Sequence, residues 1–315
     1  MAKNLTIIVL VRNRQENLIR IVRNFKDLEC RKIILDSSLY EKVKGLDLEG
    51  WEYVYKKDFT FWGKHYWVLK NCSSDYILDC PDDDIVSVSF LGKALEFLEQ
   101  NPTFSIYEGK PVEYKNKSFV SFFDGSHLAK SKENFYSTDF LIRFEHYWLS
   151  NKLWALNHCP MRFQAYKNVF SFMQKQNEYE NVKLLDRLFW IFCLATGNIK
   201  SVNDIGIVRS TDSRLIEIYR NEFWDKQDFE TVIKKNDNLL ESISIALDSK
   251  SPLIVKEKIK NIIREHLEKY HPPKMFSKQK KIFWPLSSEC RNFRKLYKLT
   301  KEPLNISISR KENRP

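Results

Sequence analysis

Three consecutive carboxylates, Asp82, Asp83 and Asp84, follow directly on the short run Tyr76-Ile77-Leu78-Asp79-Cys80-Pro81. Adjacent like charges at the end of a buried strand repel one another and resist ionisation unless something cationic sits beside them. Oxygen-rich clusters of this kind suit a hard divalent cation that keeps several waters and takes its remaining ligands from substrate phosphates. Asp82 and Asp84 are therefore the candidate ligands of Mn²⁺ or Mg²⁺, and Asp82 and Asp83 candidate contacts of a diphosphate. The competing reading is a solvated acidic turn that caps the helix beginning near Ser89, since Asp and Ser cap well and helix N-termini favour anions.

Two further apolar-to-polar switches accompany this one. Arg12-Asn13-Arg14 follows Leu5–Val11, and its guanidinium groups could pair bidentately with phosphate, or stand as surface charges at a helix edge. Asp36-Ser37-Ser38 closes a second run, where Asp36 could accept from a ribose hydroxyl or a base edge, or form an Asx turn with the serines. Lys64, between Trp62 and Tyr66, is placed with Asn13, Arg14, Asp36, Ser37, Asp82 and Asp83 among the donor-binding candidates.

The elements that position these residues read from hydrophobic spacing. Leu5–Val11 is nearly continuous and β-branched, the pattern of a strand covered on both faces. Leu18, Ile21, Val22 and Phe25 then fall at helical spacing. Lys32–Leu35 and Trp51–Tyr55 read as the second and third strands, Trp62, Tyr66 and Leu69 as one face of a helix, and Tyr76 opens a fourth strand. Strands separated by helical patterns make βαβ units, a mostly parallel sheet, and ligand sites at the carboxyl ends of strands. Further strands are expected at Phe104–Tyr107 and Phe119–Phe123, and helices around Phe140–Leu149 and from about Val182 to Thr196, ended by Gly197. His158, in Asn157-His158-Cys159-Pro160, reads as a satisfied buried histidine.

Composition narrows the function class. A chain of 315 residues with 43% hydrophobic content buries a full core. No apolar run approaches the ~18 residues of a spanning helix, and no signal-peptide pattern opens the chain, so a cytosolic protein is expected. The six cysteines show no metal-ligand spacing. Part of the net charge of +11 is concentrated after Pro273, where lysines and arginines interleave with Phe276, Phe283, Trp284 and Tyr297. That mixture suits an anionic membrane surface, with nucleic acid as the less favoured partner and a solvated tail as the plain alternative.

At this point the chain resembles a family. Thr6 to Arg14 is similar to the opening of family-2 inverting glycosyltransferases of the GT-A fold, with Asn13 and Arg14 matching the end of a Pro-Thr-Tyr-Asn-Arg-like turn while Leu10, Val11 and Arg12 depart from it. Ile33 to Ser38 resembles the second strand of bacterial surface-polysaccharide members, whose terminal Asp holds the nucleoside. Tyr76 to Asp84 and the helix positions Leu91, Leu95 and Leu98 are similar to their strand, DxD motif and following helix. The likeness covers roughly residues 5–110 and fades toward 210.

The resemblance implies a GT-A α/β fold, a nucleotide-sugar donor, a glycan or lipid-linked acceptor and a cytoplasmic enzyme, apposed to the inner face of the membrane, that builds a bacterial surface glycan. It implies a catalytic domain over 1–215, with a nucleotide half at about 1–110 and an acceptor half at about 111–215. A helical extension over 216–271 and a basic aromatic tail over 272–315 follow. Inverting transfer needs a carboxylate base near the acceptor hydroxyl; Asp186 and Glu180 are the candidates, with Glu178 behind them. Asp186 could instead be an ordinary ion-pair partner of Lys183 or Arg187. Ile205–Arg214 resembles the closing strand and loop, with Arg209 and Arg214 as phosphate contacts. A nucleotidyltransferase is the alternative enzyme, although Val9–Gln15 lacks the glycines of its usual phosphate loop. A non-catalytic membrane or nucleic-acid binder is the alternative class.

Overall fold

The computed structural model describes residues 4–41, 43, 46–115, 118–121, 139–149, 156–174, 192–210, 237, 241, 244 and 252–269. Strand β1 (Leu5–Val11) lies in the middle of a parallel block. On one side it pairs with β2 (Arg31–Asp36), which pairs in turn with β3 (Glu52–Tyr55); on the other it pairs with β4 (Tyr76–Pro81). Registers such as Val11 opposite Asp36 and Leu10 opposite Pro81 bring the carboxyl ends of three strands level with one another.

Side-chain alternation along β1 splits the core into two layers. Ile7, Val9 and Val11 face helix α1 (Leu18–Asn24) through Leu18 and Ile21, and α3 (Val88–Gln100) through Leu91 and Leu95. Ile8 faces the opposite layer, where Val68 of α2 (Phe61–Asn71) packs with Phe144 of α4 (Phe140–Leu149) and with Tyr166 and Phe170 of α5 (Phe163–Gln174). Helices on both faces explain why β1 is written as an apolar run, with Ile7, Ile8 and Val9 all fully buried.

A second block completes the sheet. β6 (Phe104–Lys115) and β9 (Asn198–Ser210) run parallel, β7 (Ser118–Ser121) returns against β6, and the two-residue β5 (Ile85–Val86) pairs antiparallel with β9. The two-residue β8 (Met161–Arg162) joins the blocks, antiparallel to β4 on one side and to β6 on the other. The order is β3-β2-β1-β4-β8-β6-β9-β5, a mixed sheet whose longest ladders are parallel. It is an α/β architecture, as expected, and one sheet takes strands from both sides of residue 110, where the two expected halves were divided.

Several elements differ from expectation. The strand begun at Phe104 continues for 12 residues, because Glu108 and Lys110 have ladder partners in β9 and the charges do not end it. Helix α5 carries Phe163, Tyr166 and Phe170 into the core at helical spacing. Gly109 and Gly206 allow β6 and β9 to approach closely: a Cβ on Gly109 would lie 2.6 Å from Gly206 Cα and 2.6 Å from the Phe90 ring. Of the helix expected over 182–196, residues 192–195 are described and are helical, with the turn at Gly197 beyond them. The extension over 216–271 is described chiefly as α6 (Pro252–Lys269), and the basic tail lies outside the described residues.

Candidate active site

The strand order reverses at β1. From β1 the chain moves outward to β2 and β3, then returns to place β4 on the other side of β1. Such a switch leaves a crevice beyond the carboxyl ends of β1 and β4, the place where open α/β sheets bind ligands. Four of the expected residues, Asn13, Arg14, Asp36 and Asp82, come together there through the loops that follow β1, β2 and β4.

The loop after β1 is knitted to the loop after β2. Asn13 has φ of 60°, a left-handed conformation that Asn tolerates. Its amide N–H donates to Ser38 Oγ at 2.7 Å and its side-chain Oδ1 accepts from Leu39 N at 2.9 Å. Asp36, fully buried, accepts at Oδ1 from Ser38 N (2.7 Å) and Ser38 Oγ (2.5 Å), and at Oδ2 from Gln15 Nε2 (2.8 Å) and Tyr53 OH (2.7 Å). A carboxylate has about four acceptor positions, so these donors fill Asp36. In this arrangement it orients Gln15, Ser38 and Tyr53, and the Asx turn with Ser38 is present. Ser37 is buried beside it.

Gln15 and Tyr53 were not among the sequence candidates. The alternation of Glu52-Tyr53-Val54-Tyr55 is the trace that pointed to Tyr53, because it sets Tyr53 and Tyr55 on one side of β3. Burial pushes the Tyr53 phenol far above its ordinary range, and its bond to Asp36 adds to the shift.

The acidic triplet meets Arg14. Its Nε donates to Asp82 Oδ2 at 3.1 Å, Nη2 lies 2.6 Å from Asp82 Oδ1, and Nη1 donates to Asp83 Oδ2 at 2.7 Å. Asp82 and Asp84 are buried, while Asp83 is partly exposed. Burial pushes the Asp82 carboxyl up to about 7 against the pull of Arg14, with Asp83 adding to the rise. The helix-capping role that competed for this triplet belongs to Ser87, whose Oγ accepts from Phe90 N at 3.1 Å at the start of α3.

Lys64, on α2, is buried beneath the crevice and donates to the main-chain oxygen of Val11 at 2.6 Å. Burial lowers its ammonium to about 8, against the pull of Asp36, Asp82 and Asp79. Asp79, one turn of pleat below the triplet, is raised by burial to about 8, with Lys64 opposing and Asp82 adding. Beneath it, His65 Nδ1 and Tyr166 OH share a 2.6 Å hydrogen bond, and His65 Nε2 lies 3.9 Å from Asp79 Oδ2. Burial holds His65 well below its ordinary range, so it stays neutral. His158, as expected, is partly buried and satisfied: its Nδ1 lies 3.1 Å from the main-chain oxygen of Asp79.

As arranged, these residues do not fit a divalent cation. Such an ion needs carboxylate oxygens with lone pairs to give, and both Asp82 oxygens and Asp83 Oδ2 face the Arg14 guanidinium at 2.6–3.1 Å. Among the described residues no three Asp, Glu, His or Cys side chains converge as a ligand set. The backbone of Arg209 follows directly on the Val208–Ile85 pair that borders the acidic turn. Asp186, Glu180 and Arg214 lie outside the described residues.

The fold defines an α/β protein with charged side chains gathered at the switch point of its sheet. No family model matches the sequence, and no curated protein matches it. Among solved structures, the chain is similar to residues 1–349 of TarS from S. aureus, with 13% identity and a TM-score of 0.46 over 85% of this chain and 89% of that one. The same fragment in complex with UDP-GlcNAc gives 11% identity and a TM-score of 0.45, over 85% and 90% of the two chains. Against a longer TarS chain the values are 12% and 0.45; 86% of this chain is covered and 55% of that one, so this chain spans about half its length.

Among the described residues no helix is long and apolar enough to cross a membrane.

Proposed function

We propose that the protein is a GT-A glycosyltransferase that moves a sugar from a nucleotide donor to a saccharide or lipid-linked acceptor, with inversion, in the synthesis of a bacterial surface glycan. The observation that carries this reading is the convergence of Arg14, Lys64 and the Asp36 and Asp82 carboxylates at the carboxyl ends of β1, β2 and β4. That is where a parallel sheet presents a nucleotide, and the residue types suit its two ends. The Asn13–Ser38–Asp36 lattice offers a rigid edge to the nucleoside. The basic groups Arg14, Arg209 and Arg214 suit the diphosphate.

In the transfer, the bond from the anomeric carbon to the phosphate oxygen breaks as the acceptor oxygen bonds to the opposite face of that carbon. The diphosphate departs with the electron pair. The acceptor proton passes to a carboxylate, for which Asp186 and Glu180 are the candidates. Positive charge near the departing oxygens stabilises the transition state more than the ground state, because charge accumulates on the diphosphate only as the bond breaks. The basic tail suits an anionic membrane surface at the inner face, where a lipid-linked acceptor would be met.

A thermal-shift screen of nucleoside diphosphates, with and without Mn²⁺, tests the reading. A ligand that binds only the folded chain at 100 times its Kd adds about 2.7 kcal/mol of stability. At least one nucleoside diphosphate is expected to raise the melting temperature by several degrees and to lose that effect in D82N. No shift with any of them removes the proposal.

A further inference from the structure

The main chain of the loop after β2 is held from several sides. Ser37 N donates to the main-chain oxygen of Val11 at 3.0 Å, Asn13 Oδ1 accepts from Leu39 N at 2.9 Å, and Gln15 Nε2 donates to the main-chain oxygen of Tyr40 at 2.8 Å. Tyr55 OH completes the set by donating to the main-chain oxygen of Ser38 at 3.0 Å. These partners come from β1, from the loop after it and from β3, so residues 37–40 are fixed by three segments. The side chains that this loop leaves in water are nevertheless apolar: Leu39 is 55% exposed and Tyr40 71%. Exposed hydrophobics scattered singly are ordinary, whereas these two are adjacent and ride on a fixed backbone. A tyrosine ring has two side-chain torsions, so on such a backbone it offers a large contact surface at little cost in entropy.

We propose that Tyr40 is the platform on which the nucleobase of the donor stacks, with Leu39 beside it, an inference that rests on the reading of the protein as a nucleotide-sugar enzyme. Asn13 and Gln15, which pin Leu39 and Tyr40, flank Arg14, whose side chain is 40% exposed. One pair of interlocked loops thus carries a cation for phosphate and an aromatic face for a base, the two things that the two ends of a nucleotide require. Asp36 is not free to read the base, because Gln15, Ser38 and Tyr53 already donate to its oxygens. An anionic lipid surface fits this loop poorly, since the exposed Glu41 follows Tyr40 directly. Every base has a π-face, so stacking is tolerant of which base it holds. Tyr40 therefore sets how tightly the nucleoside is held and leaves the choice among bases to other groups.

The test is calorimetric titration of the diphosphates of uridine, cytidine, adenosine and guanosine, and of inorganic pyrophosphate, into the full chain and into Y40F, Y40L and Y40A. The tightest-bound of the four nucleotides is expected to lose about fivefold or more in affinity in Y40A and in Y40L, the range of base–aromatic stacking, and at most about twofold in Y40F, which keeps the ring. Pyrophosphate has no base and should behave alike toward all four chains. Without ligand, the melting temperatures should stay together, because the side chain is exposed. Unchanged nucleotide affinity in Y40A overturns the proposal, as does full affinity in Y40L or a loss in Y40F as large as that in Y40A. A loss shared by pyrophosphate, or matched by a lower melting temperature of the unliganded variant, assigns Tyr40 to the folding of the loop and overturns it too. Should Y40A fail to fold, Y40L and Y40F carry the comparison. Binding of none of the nucleotides to the native chain removes the glycosyltransferase reading and the platform with it, whereas nucleotide binding that Y40A leaves intact removes the platform alone.

Discussion

The ammonium of Lys64 reaches from α2 to the main-chain oxygen of Val11, 2.6 Å away, and so ties the helix to the last residue of β1. This contact places a cation under the crevice, within the field of Asp36, Asp79 and Asp82. Removing one partner from a buried charge cluster leaves the others uncompensated, at a cost of about 3 kcal/mol or more. Lys64→Met is expected to lower stability by about that amount in denaturant unfolding. It should also drive Asp79 further toward its neutral form, because the lysine is the group that opposes burial there. A variant with native stability would show that the three carboxylates do not depend on this cation.

Asp79 gives the protein a pH dependence of definite sign. Its carboxyl is raised from 3.8 to about 8, so between those values the folded chain holds a proton that the unfolded chain has released. The associated stability is full below about pH 4 and is lost as pH rises through about 8, at up to ~1.4 kcal/mol per pH unit. His65 acts in the opposite sense below its ordinary value of 6.5, because burial keeps it neutral when folded. The clearest window is therefore pH 6.5 to 8, where the native chain should lose stability with rising pH. Asp79→Asn should flatten that slope and be more stable than the native chain at pH 8.5. An unchanged slope in the variant would mean that Asp79 is ionised throughout.

What was legible in the sequence follows from how each feature is encoded. Strands covered on both faces are written as mostly apolar runs, so β1, β2 and β4 stand out despite the buried Thr6, Lys32 and Asp79 within them, and the polar residues at their ends stand out with them. Pairings across the sheet leave no such mark. Arg14 and Asp82 are 68 positions apart, and only the parallel registers of β1 with β2 and β4 bring their loops together. β8 is hidden for another reason: two residues are too few to show a period, yet Ile77–Met161 and Met161–Ile106 join the two halves of the sheet. Asp36 was found by its place at a strand end, but the four donors that fill it come from three separate segments.

Those four donors make Asp36 a test of positioning. Tyr53→Phe removes one hydrogen bond and should cost about 1 kcal/mol, whereas Asp36→Ala takes the acceptor from Tyr53 and Ser38, and one of the two acceptors from Gln15, which keeps the main-chain oxygen of Tyr40, and should cost about 3 kcal/mol or more. Ultraviolet titration gives a second reading. The Tyr53 phenol, pushed up first by burial and then by Asp36, should ionise with the fraction of the tyrosines that titrates at the highest pH, and that fraction should be smaller in Tyr53→Phe. Equal stability of Asp36→Ala and the native chain would show the lattice to be ornamental.

The meeting of β6 and β9 depends on the absence of two side chains. A methyl group on Gly109 would sit 2.6 Å from both Gly206 Cα and the Phe90 ring, and the first of these is backbone with nowhere to retreat. Gly109→Ala is expected to cost about 2 kcal/mol or more, in the range of overpacked cores. Because β9 also pairs with β5 at the edge of the acidic turn, the damage should reach the crevice. Nucleoside diphosphate affinity should fall along with the melting temperature in Gly109→Ala, while Gly92→Ala, where an added methyl meets open space on the exposed side of α3, should leave affinity in place and raise the melting temperature slightly. If Gly109→Ala melts like the native chain, the strands have room that the geometry denies them.

The base of the proposed transfer is the last piece to test, and Asp186 and Glu180 make opposite predictions. A general base contributes about 10²–10⁴-fold to the rate and nothing comparable to donor binding. Replacing the true base by its amide should therefore collapse kcat while leaving nucleoside diphosphate affinity and the melting temperature in place. Asp186→Asn is expected to show this pattern, and Glu180→Gln to retain most of the activity. An Asp186 engaged only in an ion pair with Lys183 or Arg187 gives a different signature: Asp186→Asn would then lose at most about 0.5 kcal/mol of stability and keep its turnover. Measuring kcat and melting temperature on both amides distinguishes the two roles, and a full rate in both would remove these carboxylates from the chemistry.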